Sequence, residues 1–316
     1  MEIYNVEKTD LSVKAETVTV KEFAKALNLE IVFEGKGELT LNSISYSRPG
    51  LQLTGYFAHF DHNRVQLIGN TEHEYLLSMP KTARDRNLDE LFKREVPCVI
   101  VANNLEVIPP LLKSAEKYNC PLFKSKQLTA VLAHELTMYQ EELLAPTLIS
   151  HGVLVEVFGV GVLLTGKAGI GKSETALDLI TRGHRLVADD SVIIKNIGDS
   201  IIGKSPEKIQ YFMEVRGVGV INVRTMYGPG AIRPYKTVDL IVDLVKWDEK
   251  SVYDRLGDVK QKIDILGVKK PKLTVPVTPG RNIPAIIETA ARKFRLDEAG
   301  YDATQELLSR TFGEGK

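Results

Sequence analysis

Residues 166–173 read Gly166, Lys167, Ala168, Gly169, Ile170, Gly171, Lys172, Ser173. They fit the spacing G-x-x-x-x-G-K-[ST] of a loop whose backbone N–H groups wrap a phosphate. The flanks constrain the fold further. Residues 160–165 are apolar and partly β-branched, which predicts a buried strand. Residues 173–180 are helix formers with Ala176, Leu177 and Ile180 on one face. Strand, glycine loop and helix in that order predict an α/β domain that holds anions at a helix N-terminus. In that setting Lys172 reaches the β- and γ-phosphates of a nucleotide and the Ser173 hydroxyl reaches Mg²⁺. A glycine loop that only turns the chain needs neither residue in register.

The 316 residues are enough for two domains. Lys plus Arg number 41 and Asp plus Glu number 41, so no field favours a polyanion and nucleic acid is not an expected partner. Cys98 and Cys120 lack metal spacing and are expected to be reduced core thiols of a cytoplasmic protein. The first residues are charged early and hold no apolar leader core. Glu156 interrupts the apolar stretch 153–164, so no membrane span is expected.

The chain divides into an N-terminal α/β domain, residues 1–130, and a larger C-terminal domain, residues 131–316. In the first, Thr19-Val20-Lys21-Glu22 reads as a capping box opening a helix through Leu27, with Asn28 at its end. Residues 29–33 and 96–101 read as strands, 88–93 and 111–118 as helices, and 80–86 as a charged, solvated loop. His59-Phe60-Asp61-His62 carries metal-ligating side chains, but no third ligand is near in sequence, and it reads as a polar loop. Residues 127–144 read as a connecting helix with Leu128, Val131, Leu132, Leu136 and Leu143 as its apolar stripe, ended by Pro146.

In the second domain, residues 152–157 and 160–165 read as a hairpin turned by Phe158-Gly159, and Gly183 as the C-cap of the phosphate-loop helix. Residues 185–188 form a short apolar strand that ends in Asp189-Asp190. Adjacent residues on extended backbone face opposite ways. One carboxylate can therefore join the metal while the other accepts a proton from an acceptor hydroxyl. Two further stretches stand out. Residues 213–223 carry Glu214, Arg216, Gly217 and Gly219, suited to a metal carboxylate and a charge-neutralising arginine, or equally to a twisted edge strand. Residues 273–282 carry Pro276, Val277, Thr278, Pro279, Gly280 and Arg281, a stiff loop at a helix start that either binds an anion or simply caps the helix. The guanine-reading tetrad N-K-x-D is absent, and nothing in the chain reads adenine.

These stretches, in this order, resemble HPr kinase/phosphorylase, a bacterial family that phosphorylates a serine of the phosphocarrier protein HPr and removes it again. The resemblance rests on residues 151–155, the phosphate loop with Ser173-Glu174-Thr175-Ala176, residues 185–190, 213–222, 253–257 and 275–282. It implies ATP and Mg²⁺ as nucleotide and metal, with inorganic phosphate as co-substrate in reverse. It implies a phosphate-loop kinase core in the C-terminal domain and a hexamer. Lys172 corresponds to the phosphate-gripping lysine, Ser173 to the Mg²⁺ ligand and Glu214 to a second metal ligand, and the residue reading adds Asp189 as the metal-side carboxylate of its pair. Asp190 corresponds to the residue that takes the serine proton and returns it, with His151 close by and Arg255 as an active-site arginine. Residues 276–281 correspond to the segment needed for dephosphorylation. Lys167-Ala168 stand where an Asp-Ser pair is common in the family, and Thr278 where arginine is frequent. A kinase of a small metabolite and a non-catalytic nucleotide sensor are the alternative functions.

Overall fold

The computed structural model of the chain describes residues 15–248 and 261–312. They form two compact units that divide between Ala145 and Pro146.

The first unit is built on a five-stranded sheet in the order Glu30–Phe33, Leu122–Lys124, Val99–Val101, Val65–Ile68, Tyr46–Ser47. Only the Glu30–Phe33 pairing is antiparallel. Alternate side chains leave opposite faces of a strand. Leu67, Ile100 and Phe123 therefore meet Phe23, Leu132 and Leu136 in one core, while Ile68, Val99, Val101 and Leu122 meet Leu88, Leu91 and Leu111 in a second. A mainly parallel sheet covered on both faces explains why its strands are apolar runs without alternation. The capping box forms as expected. Thr19 Oγ1 accepts from the Glu22 N–H at 3.2 Å and Glu22 Oε2 accepts from the Thr19 N–H at 3.0 Å, starting the helix Val20–Ala26.

Three expectations change here. The charged stretch 80–86 is the solvent-facing start of the helix Lys81–Phe92, which is held by Leu88, Leu91 and Phe92 in its second half. In the helix Thr129–Leu144, Leu128 just before it and Val131 lie 68% and 46% exposed, and the buried positions are Leu132, Ala133, Leu136, Gln140 and Leu144. A division after residue 130 would cut this helix in its first turn. Its packing on Phe23 keeps it with the first unit, and the chain crosses over at the extended Ala145 before Pro146. In the polar loop, Asp61 accepts from the Asn63 N–H at 3.1 Å and from Arg64 Nε at 2.9 Å.

The second unit packs a six-stranded sheet against a four-stranded one. The larger runs Arg185–Ala188, Val153–Val157, Val160–Gly166, Leu240–Lys246, Val268–Val277, Gln261–Ile265; the smaller runs Tyr235–Thr237, Ser200–Lys204, Ser191–Ile197, Thr147–His151. The expected hairpin is present, with Phe158 and Gly159 both at positive φ in its turn. Val153, Val155, Val162 and Leu164 point to Ala176, Leu179 and Ile180 of the helix Lys172–Thr181 and to Ile287 of the helix Ile283–Glu298. Leu154, Leu163 and Ile241 point the other way, to Val192, Ile194 and Ile201 of the smaller sheet. The strands Val160–Gly166, Leu240–Lys246 and Val268–Val277 are parallel neighbours and end at one edge. That carboxyl edge is where α/β sheets bind ligands. The phosphate loop leaves it after Gly166 and the stiff loop after Val277.

Candidate active site

The phosphate loop is shaped by what approaches it. A Cβ on Gly166 would stand 2.4 Å from the Leu244 carbonyl oxygen of the neighbouring strand, so only glycine lets the loop leave the sheet there. Gly169 and Gly171 follow at φ +74° and +102°. Gly171 N-caps the helix Lys172–Thr181, aiming its first N–H groups and positive dipole end at the loop. The Lys172 ammonium donates to the carbonyls of Gly166 at 3.0 Å and Lys167 at 3.3 Å, which keeps it curled inside the loop.

The acids arrive from the edge strand Arg185–Ala188. Its register on the next strand shifts between Leu186 and Ala188, and such a bulge re-aims the residues after it. Asp189 is buried, accepts from Ser173 Oγ at 2.9 Å through Oδ1, and accepts from the Glu214 N–H at 3.2 Å through Oδ2. Burial raises its carboxyl above the ordinary range, against the pull of those two hydrogen bonds. Asp190 is exposed. The two side chains do part company, but not on extended backbone: Asp190 sits at φ +62° in a tight turn that the Ser191 N–H closes onto the Asp189 carbonyl at 2.7 Å. A non-glycine residue held there is strained, the kind of strain that clusters at functional sites.

One cleft of about 190 Å³ gathers Gly169, Gly171, Lys172, Ser173, Asp189, Asp190, Glu214 and Arg216. Glu214 and Arg216 come from the ribbon Phe212–Val215 and Gly219–Asn222, whose Met213 and Val215 are buried against the phosphate-loop helix core. The Arg216 guanidinium stands over Gly169, 3.3 Å from where a Cβ would be.

The donor set suits Mg²⁺. Ser173 Oγ and Asp189 offer hard oxygen ligands beside a phosphate-shaped cradle, and Mg²⁺ is commonly held by one or two carboxylates plus substrate phosphates. Among the described residues no three His, Cys, Asp or Glu side chains converge as a closed metal shell would require.

Other expected residues lie outside this lining. His151 ends the strand Thr147–His151 opposite Ser191, one residue from Asp190. In the stiff loop, Arg281 Nη1 donates to the Pro276 carbonyl at 3.0 Å, and Asn282 caps the next helix through the Ala285 N–H at 3.1 Å. Arg255 falls outside the described residues. Sequence reasoning missed one group. Asp243, an acid inside the apolar strand Leu240–Lys246, accepts from the Thr165 hydroxyl at 3.1 Å and pairs with Lys272 at 2.8 Å, directly under the loop. A carboxylate in an otherwise apolar strand is the signal that marks it.

The family model described as the HPr Serine kinase N terminus matches residues 18–139, and that of the HPr Serine kinase C-terminal domain matches residues 142–311. The HPr kinase/phosphorylase of Halalkalibacterium halodurans is 44% identical over 295 residues, 93% of this chain and 95% of its own length. That of Alkaliphilus metalliredigens is 44% identical over 93% of this chain and 96% of its own. Among solved structures, the Hpr(Ser) kinase/phosphatase from Coxiella burnetii is 37% identical, with a TM-score of 0.47, and spans 53% of this chain and 99% of its own. The weight therefore rests on the sequence relatives. With both family models matched in order and curated relatives aligned along nearly the whole length, the chain belongs to the HPr kinase/phosphorylase family.

Proposed function

We propose that this chain transfers the γ-phosphoryl group of ATP to a serine of HPr and removes it with inorganic phosphate, giving pyrophosphate, in the regulation of carbon metabolism. The observation that carries this reading is the pairing of two unlike carboxylates at the phosphate loop: Asp189 bound to Ser173 and Asp190 free beside it in the same cleft. A protein that only senses a nucleotide needs no such base.

The roles follow from position. Loop N–H groups and Lys172 hold the phosphate tail, and Arg216 offsets charge on the transferred group. Mg²⁺, when bound, supplies charge neutralisation on the phosphates, and Ser173 and Asp189 would hold it with Glu214 alongside. In the forward direction Asp190 accepts the serine proton as the serine oxygen bonds to the γ-phosphorus and the bond to the ADP oxygen breaks. In reverse, an oxygen of inorganic phosphate bonds to the phosphoserine phosphorus, the serine oxygen leaves, and Asp190 returns its proton. One carboxylate in both roles follows from microscopic reversibility. His151 orients Asp190 from the adjoining strand, and Arg255 with residues 276–281 holds the attacking phosphate.

Exposed apolar side chains beside the cleft suit a protein acceptor better than a small metabolite. Val220 is 70% exposed opposite Glu214, and Val218 is 72% exposed at the ribbon tip. Family membership supports a cytoplasmic hexamer, and among the described residues no helix is long and apolar enough to cross a membrane.

Mass spectrometry of HPr after incubation with this protein and Mg-ATP tests the proposal. A single phosphate on a serine is expected. Unmodified HPr, or phosphate found instead on a small metabolite, would overturn it.

A further inference from the structure

We propose that the Asp243–Lys272 pair is a positioning clasp: it fixes the stiff loop 276–281 in register with the phosphate loop and so serves the phosphorolysis direction. The inference rests on the reading above that this loop holds the attacking phosphate.

The two loops leave neighbouring regions of one sheet edge but share no backbone pairing beyond it. Thr165, fully buried, is the residue before the phosphate loop, and its hydroxyl donates to Asp243 Oδ1 at 3.1 Å. The other oxygen of that carboxylate takes the Lys272 ammonium at 2.8 Å. Lys272 lies on the strand Val268–Val277 that runs straight into the stiff loop. One carboxylate thus ties the residue before the phosphate loop to a strand position four residues ahead of the stiff loop, whose first residues Pro276 and Val277 are laddered to Val245 and Lys246. A second tie lies behind: Arg182, at the C-terminal end of the phosphate-loop helix, donates to the side-chain oxygen of Asn282 at 3.4 Å. Arg281 closes the loop on itself through the Pro276 carbonyl. The loop is therefore a closed, proline-stiffened piece whose position is set by what holds its two ends.

The pair is a poor device for stability alone. With Asp243 and Lys272 side chains 19% and 24% exposed, much of the Coulomb gain is cancelled by lost hydration. What a partly buried ion pair adds best is register. Register matters here because small misplacement of a reacting group costs large factors in rate.

The test compares three variants in both directions, with thermal melts as a folding control. The double variant Asp243→Asn, Lys272→Met keeps an oxygen for Thr165 and leaves no unpaired charge. It is expected to raise the inorganic phosphate needed for half-maximal phosphorolysis about fivefold or more, a clearly larger factor than its effect on kinase turnover and ATP half-saturation. Lys272→Arg in the otherwise native chain is expected to keep phosphorolysis near normal. Equal losses in both directions, or unchanged phosphorolysis, would overturn the clasp. Arg281→Ala separates the two levels: if it leaves phosphorolysis intact, the loop reading falls and the clasp with it; if it impairs phosphorolysis while the double variant does not, the clasp alone fails.

Discussion

At Gly169 two demands meet on one atom. The backbone sits at φ +74°, and the Arg216 guanidinium stands 3.3 Å from where a Cβ would be. Gly169→Ala adds strain of about 1 kcal/mol and makes the Arg216 guanidinium give way by a few tenths of an ångström. It is expected to weaken ATP binding roughly five- to tenfold by calorimetry, with little change in melting temperature. Unchanged affinity would mean that Arg216 does not sit over bound phosphate. The adjacent acids show the same economy. Burial raises the Asp189 carboxyl while Ser173 and the Glu214 N–H hold it in place, whereas Asp190 is exposed on a strained turn. In the proposed mechanism these separate environments let Asp189 hold metal while Asp190 moves the proton.

At the scale of elements, the join between the two sheets of the second unit turns on Asp239. Its carboxylate accepts from the Gly161 N–H at 2.7 Å, and its own N–H donates back to the Gly161 carbonyl at 2.8 Å. Burial raises its pKa above the ordinary value, so folding favours the protonated form. Its contribution is fully present below the unfolded-state value and is lost as pH rises through the folded-state value. Asp239→Asn keeps an acceptor for Gly161 and removes that loss. The variant is expected to melt no lower than the parent near pH 7, with any gain shrinking toward about pH 4; calorimetry across that range checks it, and a lower melting temperature at neutral pH would contradict it. The strand, glycine loop and helix of the phosphate site were legible because turn chemistry and periodicity are local. So were the Phe158-Gly159 hairpin and the Thr19–Glu22 cap. The helix Lys81–Phe92 was legible only in its second half, read as 88–93; its first half is polar, and tertiary burial of Leu88 and Leu91 holds it. The Asp189–Ser173 contact was legible only as an expectation of proximity. The Asp243–Lys272 pair joins residues 29 positions apart (272 less 243) whose meeting depends on strand pairing that no local pattern encodes.

At the scale of the molecule, the candidate site lies in the second unit, while both cysteines lie in the first. Cys98 and Cys120 are buried, and burial pushes the Cys120 thiol up to about 12 and the Cys98 thiol well above its usual value. Native protein at about pH 8 is therefore expected to react with a thiol reagent only as fast as the first unit opens; reaction within seconds would contradict the core assignment. The central claim is that a single carboxylate serves both directions at a phosphate loop that binds without it. Asp190→Asn tests it most directly, with ATP binding by calorimetry and both reactions assayed on the same preparation. The account predicts phosphorylation and phosphorolysis each reduced by about 10²-fold or more, with ATP affinity within a few-fold of the parent. Phosphorolysis that persists in this variant would contradict it.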